Sequence, residues 1–200
     1  AERCPFCSRS PREVDDPPAY AYLLGQYLGD GHLLTTGRVP LLTVMCDMRH
    51  PGVMHEVGKA MEAAGARSVG FQERVGCVGV RSHWMHWPCL FPQHGPGRKH
   101  KRTIALSGWQ QTIVDRYPGT FVRGLFHSDG SRFLNRVRQA GKEYRYPRYM
   151  FVNESADIMR LCRLALDRLD IDWRMARPNS LSVARREAVA ELDRHVGPKW

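Results

Sequence analysis

Two hundred residues with 42% hydrophobic side chains are enough for one large domain or two fused small ones around a sizeable core. Thirty basic against 20 acidic residues leave a formal charge of +10, and its concentration in Arg98-Lys-His-Lys-Arg102, Arg132 to Arg148 and Arg185-Arg186 reads as contacts to phosphate. No apolar run approaches the roughly 18 residues that a membrane-spanning helix needs, so no membrane role is expected.

Ala1 to Pro18 opens with Cys4-Pro-Phe-Cys7 and continues as an Arg/Ser/Pro/Asp linker. Asp15, Asp16 and the two prolines after them signal a helix over Ala19 to Gly29. Gly31 to Thr36 and Val39 to Asp47 read as a β-hairpin around Gly37. An amphipathic helix starts near Gly52. Val53, Val57, Ala60, Met61 and Ala64 share its apolar stripe, and Gly65 ends it. Ser68 to Gln72 and Gly76 to Ser82 form a second hairpin.

From His83 to Arg102 all periodicity breaks, in a stretch with four His, one Cys, three Pro and two Gly. It is too long for a routine hairpin loop. A helix over Thr103 to Arg116 completes a first unit. The second is more compact. A helix over Thr120 to Ser128 leads into a hairpin of Arg132 to Val137 and Tyr144 to Val152 across Gly141. A helix over Ser155 to Leu169 follows, with Cys162 a small core residue on its apolar side. Ile171 to Met175 pairs with Ser180 to Ala184, and Arg185 to His195 closes the chain. The element order therefore repeats.

A repeat of letters accompanies it. Ala21-Tyr-Leu-Leu-Gly-Gln-Tyr-Leu-Gly-Asp30-Gly31 is echoed by Phe121-Val-Arg-Gly-Leu-Phe-His-Ser-Asp129-Gly130, the acids recurring at a spacing of 99 residues. Gly25 and Gly29 lie i,i+4 on one helical face, and Gly124 and Ser128 repeat that spacing. Small residues on both faces let two helices cross with their backbones nearly touching. Parallel packing brings Asp30 and Asp129 side by side at the bottom of the contact. Two carboxylates at helix C-termini repel each other, and a hard cation such as magnesium relieves that cost.

These paired stretches resemble the motifs of the LAGLIDADG homing endonucleases in their single-chain, two-repeat form. The match runs from about Tyr20 to Val196. It departs from the family pattern at Leu28 and His127, where an earlier acid is usual, and at Gly29 and Ser128 before the catalytic acids. The resemblance implies an α+β fold, with duplicated αββαββα units forming a pseudo-two-fold pair of saddle-shaped antiparallel sheets over duplex DNA. The expected divisions are an N-terminal segment at 1–18, a first repeat at 19–117 carrying the insertion at 83–102, and a second repeat at 118–200. It further implies that Mg2+ or Mn2+ binds Asp30 and Asp129, helped by the backbone carbonyls of Gly29 and Ser128. Lys99, Lys101 and Arg186, with Arg102 and Arg185 beside them, are the candidate catalytic cations. Arg132, Asn135, Arg136, Arg138, Arg145 and Arg148 are the candidate DNA contacts.

The resulting expectation is a metal-dependent, site-specific double-strand DNA endonuclease, monomeric with internal pseudo-symmetry. The alternative is a non-cleaving, sequence-specific DNA-binding regulator on the same fold, and an RNA-binding or splicing cofactor is a third reading. A structural zinc is also expected. Cys77, Cys89, His94 and His100 have plausible Cys2His2 spacing, and His83 and His86 stand nearby. Cys4 and Cys7 are half of a zinc site, to be joined to ligands from the break or from upstream. No signal peptide is visible, and cytoplasmic, nucleoid-associated DNA is the expected location. The chain opens without methionine just before its Cys-x-x-Cys, so a further N-terminal domain is expected.

Overall fold

The computed structural model describes residues 14–139 and 141–199. The first unit runs α1 (Pro17–Asp30), β1 (Gly31–Leu34), β2 (Leu41–Asp47), α2 (Pro51–Ala63), β3 (Gly70–Arg74) and β4 (Cys77–His83). It continues with a short α3 (Trp87–Leu90), a 3-10 turn at Lys99–Lys101 and α4 (Gly108–Arg116). The second runs α5 (Pro118–Asp129), β5 (Gly130–Gln139), β6 (Lys142–Val152), α6 (Ala156–Arg168), β7 (Arg174–Arg177), β8 (Ser180–Val183) and α7 (Arg186–Val196). Each unit contributes one four-stranded antiparallel sheet, ordered β1-β2-β4-β3 and β5-β6-β8-β7. The two halves therefore repeat the same topology, as the sequence leads one to expect.

The two motif helices form the centre. Asp16 caps α1, its Oδ1 accepting from the Ala19 amide at 2.9 Å. Every residue from Tyr20 to Leu28 is buried, because α1 meets α5, α2, α4 and β2 around its circumference. A helix apolar on nearly all sides is a core helix, and α1 is one. Its counterpart α5 starts on Pro118 and buries Phe121, Val122, Leu125 and Phe126. The sheets each turn one face to this layer. Leu42, Val44 and Val80 are buried from the first, and Tyr149, Phe151, Leu181 and Val183 from the second.

Two element starts lie three or more residues from the sequence reading, each for a local reason. The final helix of the first unit starts at Gly108, not Thr103, because Ser107 and Gln110 form a reciprocal capping box. Ile104 instead anchors an extended segment in the core, its amide donating to Asp157 Oδ2 at 2.9 Å. Strand β7 starts at Arg174 because Ile171 is still terminating α6. Its amide returns to the Leu166 carbonyl, and Asp170 takes a positive φ of 54°.

Candidate active site at the helix crossing

The glycines of the motifs set how closely α1 and α5 approach. A Cβ on Gly25 would stand 2.5 Å from the Phe121 carbonyl oxygen and 2.7 Å from the Leu125 nitrogen. One on Gly124 would collide with the Tyr22 carbonyl oxygen. Contacts advance together along both helices, from Tyr22 with Gly124 to Gly29 with Ser128 and Asp129, so the packing is parallel. Only one side chain fits at the level before the acids. The second motif places Ser128 there, and a Cβ on Gly29 would run into it.

This crossing brings Asp30 and Asp129 together. Burial pushes Asp30 up to about 6, and the neighbouring Asp129 charge pushes the same way. Burial also raises Asp129, opposed by a hydrogen bond from Asn153 Nδ2 to its Oδ2 at 2.8 Å. Asn153 is itself fixed between β6 and α6, where its Oδ1 accepts from the Ser155 amide at 2.8 Å.

A lysine stands over each motif terminus. Lys99 Nζ donates to the carbonyls of Tyr27 at 2.6 Å and Gly29 at 2.7 Å, and lies 5.2 Å from the centre of the Tyr27 ring. Burial lowers it to about 8, while both aspartates favour its charged form. Lys199 Nζ donates to the Gly130 carbonyl and feels the same two acids. Each acid opens into its own cleft. Asp30 shares one with Lys199, Asp47 and Arg132, and Asp129 shares the other with Lys99, Asn153 and Glu154.

A pH dependence follows from these shifts. The folded value of Asp30 lies above its ordinary 3.8, so its penalty is fully present above about pH 6 and vanishes below about 4. His127 works in the opposite sense. Burial lowers it from 6.5 to about 4, so protonation of the unfolded chain costs stability as pH falls through that window. Asp30→Asn removes the first effect and leaves the second. At pH 7.5 the variant should be more stable by on the order of 2 kcal/mol, roughly 5 °C for a chain of this length. The gain should fall to roughly a third near pH 4.5 and disappear below about pH 4, and thermal melts across this range measure it.

No family model and no curated protein matches the chain by sequence. Solved structures match its fold. A lysine-to-alanine mutant of I-SmaMI superposes with a TM-score of 0.58 over 91% of this chain and 85% of that one, at 10% identity. I-DmoI in complex with DNA and Mn gives 0.57 over 92% and 99%, at 11% identity. The LAGLIDADG meganuclease I-AabMI bound to uncleaved DNA gives 0.55 over 88% and 84%, at 8% identity. The chain has the LAGLIDADG homing endonuclease fold.

Within this LAGLIDADG fold the other sequence candidates are placed unevenly. Lys101 and Arg186 are exposed, and neither lines the clefts beside the acids. Lys199, which sequence reasoning passed over, stands there with Lys99. The signal available for it was the Gly-Pro that Gly197-Pro-Lys199 shares with Gly95-Pro-Gly-Arg-Lys99, although that stretch precedes the last helix of the first unit and Lys199 follows the last helix of the second. Arg102 organises the loop instead. Its guanidinium donates to the carbonyls of Gln93, Gly95, Pro96 and Gly97, and so shapes the segment that presents Lys99. Arg185 pairs with Asp172 at 3.1 Å. The Gly29 carbonyl proposed for metal already accepts from Lys99.

Strand register divides the six candidate DNA contacts. Cross-strand partners share a face. Arg132 pairs with Tyr149, Arg136 with Arg145, and Arg138 with Glu143, so these four arginines lie on the face that turns Tyr149 and Phe151 to the helices. Arg132 is held there by Asp193 at 2.7 Å. Asn135 and Arg148 lie on the opposite, open face, with Phe133, Tyr144 and Tyr146.

The expected zinc foursome does not assemble. Among the described residues no group of three or more His, Cys, Asp or Glu that could hold a metal occurs. Cys77 begins β4 with Asp47 and Arg74 opposite, Cys89 lies in α3, and His94 Nδ1 is bonded to the Phe91 carbonyl at 2.9 Å. The break is ordered by other means. Gln110 Nε2 donates to Tyr20 Oη at 2.8 Å, Gln93 Nε2 to the Ala105 carbonyl at 2.8 Å, and Trp87 Nε1 to the Ser82 carbonyl at 2.9 Å. Cys4 and Cys7 lie outside the described residues.

Proposed function

We propose that this chain is a metal-dependent, site-specific endonuclease that hydrolyses both strands of duplex DNA, with Asp30 and Asp129 as the metal-holding acids. The observation that carries the reading is the pair of buried, mutually repelling carboxylates at the helix crossing, with a lysine over each motif terminus. A protein that only binds DNA gains nothing from two crowded negative charges facing phosphate.

The donor set fits a hard divalent cation. Magnesium uses one or two carboxylates plus water and phosphate oxygens rather than an all-protein cage. Bound there, Mg2+ or Mn2+ supplies charge to the phosphoryl oxygens and acidifies a water. Asn153 orients Asp129. Lys99, lowered to about 8 and close enough to both acids to feel their charge, can hold or release a proton at Nζ near neutral pH. The I-DmoI structure, which contains DNA and Mn, supports assigning the same partner and metal class to this fold. Cytoplasmic, nucleoid-associated DNA is the corresponding location.

Selection for cleavage from a randomised duplex library, with magnesium and with manganese, tests the reading. Cut sites recovered with the native protein and absent with Asp30→Asn are the expected result. Sites that are bound but never cut would replace it with the DNA-binding regulator.

The zinc reading takes a different ligand set. Cys89 Sγ stands 3.9 Å from His86 Nδ1 at the start of α3. Cys4-x2-Cys7 has the spacing of the other two ligands of a tetrahedral site. Protein purified without chelator should contain about one equivalent of zinc, and Cys89→Ser should release it. Elemental analysis showing no zinc in the native protein would remove this site.

A further inference from the structure

We infer that the two sheets grip duplex DNA unequally, the second sheet holding the phosphate backbone and the first contributing mostly neutral contacts. The inference rests on the DNA-binding reading and adds to it which half of the protein carries the affinity.

Register gives the composition of each open face. On the first sheet, Thr43 pairs with Arg81, Asp47 with Cys77, Arg74 with Cys77 and Gln72 with Gly79. Its strand charges are therefore Arg74 and Arg81 against Asp47. Asp47 is engaged by Arg49 at 2.6 Å, and Arg81 Nη1 donates to Gln72 Oε1 at 3.0 Å. On the second sheet, Phe133 pairs with Arg148, Met150 with Ser182, Arg174 with Ser182 and Arg177 with Ser180. Lys142 alternates onto the same face. The strand charges there are Lys142, Arg148, Arg174 and Arg177, and the only strand acid, Glu143, lies on the other face opposite Arg138.

Two features make this face more than a solvated basic surface. A concave site is lined by Arg148, Arg174, Arg185, Ser182 and Asp172; Asp172 pairs with Arg185 at 3.1 Å, so Arg148 and Arg174 are the cations offered there to one backbone phosphate. Tyr144 and Tyr146 stack nearly parallel with ring centres 6.3 Å apart, 40% and 51% exposed on the open face. They offer flat apolar surface to the sugar edges or thymine methyls between phosphate contacts.

Phosphate contacts set the salt dependence of binding, with a slope near −0.9 per contact on B-DNA. Anisotropy titrations of a fluorescein-labelled, mixed-sequence duplex of about 30 base pairs, over a range of KCl concentrations, read it out. Replacing three charges, as Arg148→Ala/Arg174→Ala/Arg177→Ala, should reduce the slope by about 2.7 and weaken binding more than about tenfold at physiological salt. The pair Arg74→Ala/Arg81→Ala should reduce it by about 1 or less. An equal or larger loss from the first-sheet pair would overturn the inference.

Hydroxyl-radical footprinting with the native protein gives a second readout that does not depend on the variants folding. On a site recovered by selection, backbone protection should concentrate on one half. Even protection of both halves would overturn the unequal grip while leaving DNA binding intact. No salt-dependent binding by the native protein would remove the DNA reading, and this inference with it.

Discussion

Asp30→Asn and Asp129→Asn are each expected to reduce duplex cleavage by roughly three orders of magnitude, because each removes one of the two carboxylates proposed to hold the metal. Lys99→Met and Lys199→Met should cost about 10² to 10⁴ in the rate, the range for losing a positioned proton donor or acceptor. DNA affinity should survive in all four variants, since the proposed phosphate contacts are basic side chains on the open face of the second sheet, away from the acids. Removing an acid that faces phosphate should even strengthen binding slightly. Single-turnover cleavage of a selected site, measured beside anisotropy on the same duplex, separates the two quantities. Equal cleavage by native and Asp30→Asn protein would place the chemistry elsewhere. If Lys199→Met cut at the native rate, Lys199 would be a structural clasp on the Gly130 carbonyl.

The largest effect on stability is expected at Gly124. A Cβ there meets the Tyr22 carbonyl oxygen and lies 3.0 Å from the Gly25 Cα, and all of these neighbours are backbone. Backbone in a central helix pair cannot move aside as a flexible side chain can. Gly124→Leu should therefore exceed the 1–3 kcal/mol typical of overpacking, at about 4 kcal/mol, and lower the melting temperature by roughly 10 °C or more. Gly108→Ala is the control, because a Cβ on Gly108 at the start of α4 meets nothing within 4 Å. It should leave stability unchanged or raise it by a few tenths of a kcal/mol, as expected when a helical glycine gains a side chain. Comparable melting temperatures for the two variants would refute the close helix crossing, and the juxtaposition of the acids would fall with it.

Much of this organisation was legible in the linear chain because it depends on local periodicity. The i,i+4 small residues, the Asp-Gly endings and the recurring helix-hairpin order are readable wherever side chains repeat at 3.6 or 2 residues. Those features determined the duplicated fold, the parallel crossing and the choice of Asp30 and Asp129. The tertiary structure decided what local pattern leaves open. Alternation shows that Arg136 and Asn135 face opposite ways, but not which of them meets the helices. Across the Gly141 turn, a one-residue change of register would exchange the faces of every residue on β6. The pairing of Arg132 with Tyr149 is thus what puts Arg136, Arg138 and Arg145 on the helix side and leaves Arg148 on the open face. Lys199 and Asn153 reach the acids from segments with no periodicity, the tail after α7 and the junction before α6. Such residues are selected by where the chain returns in space, and their roles exist only once α1 and α5 have crossed.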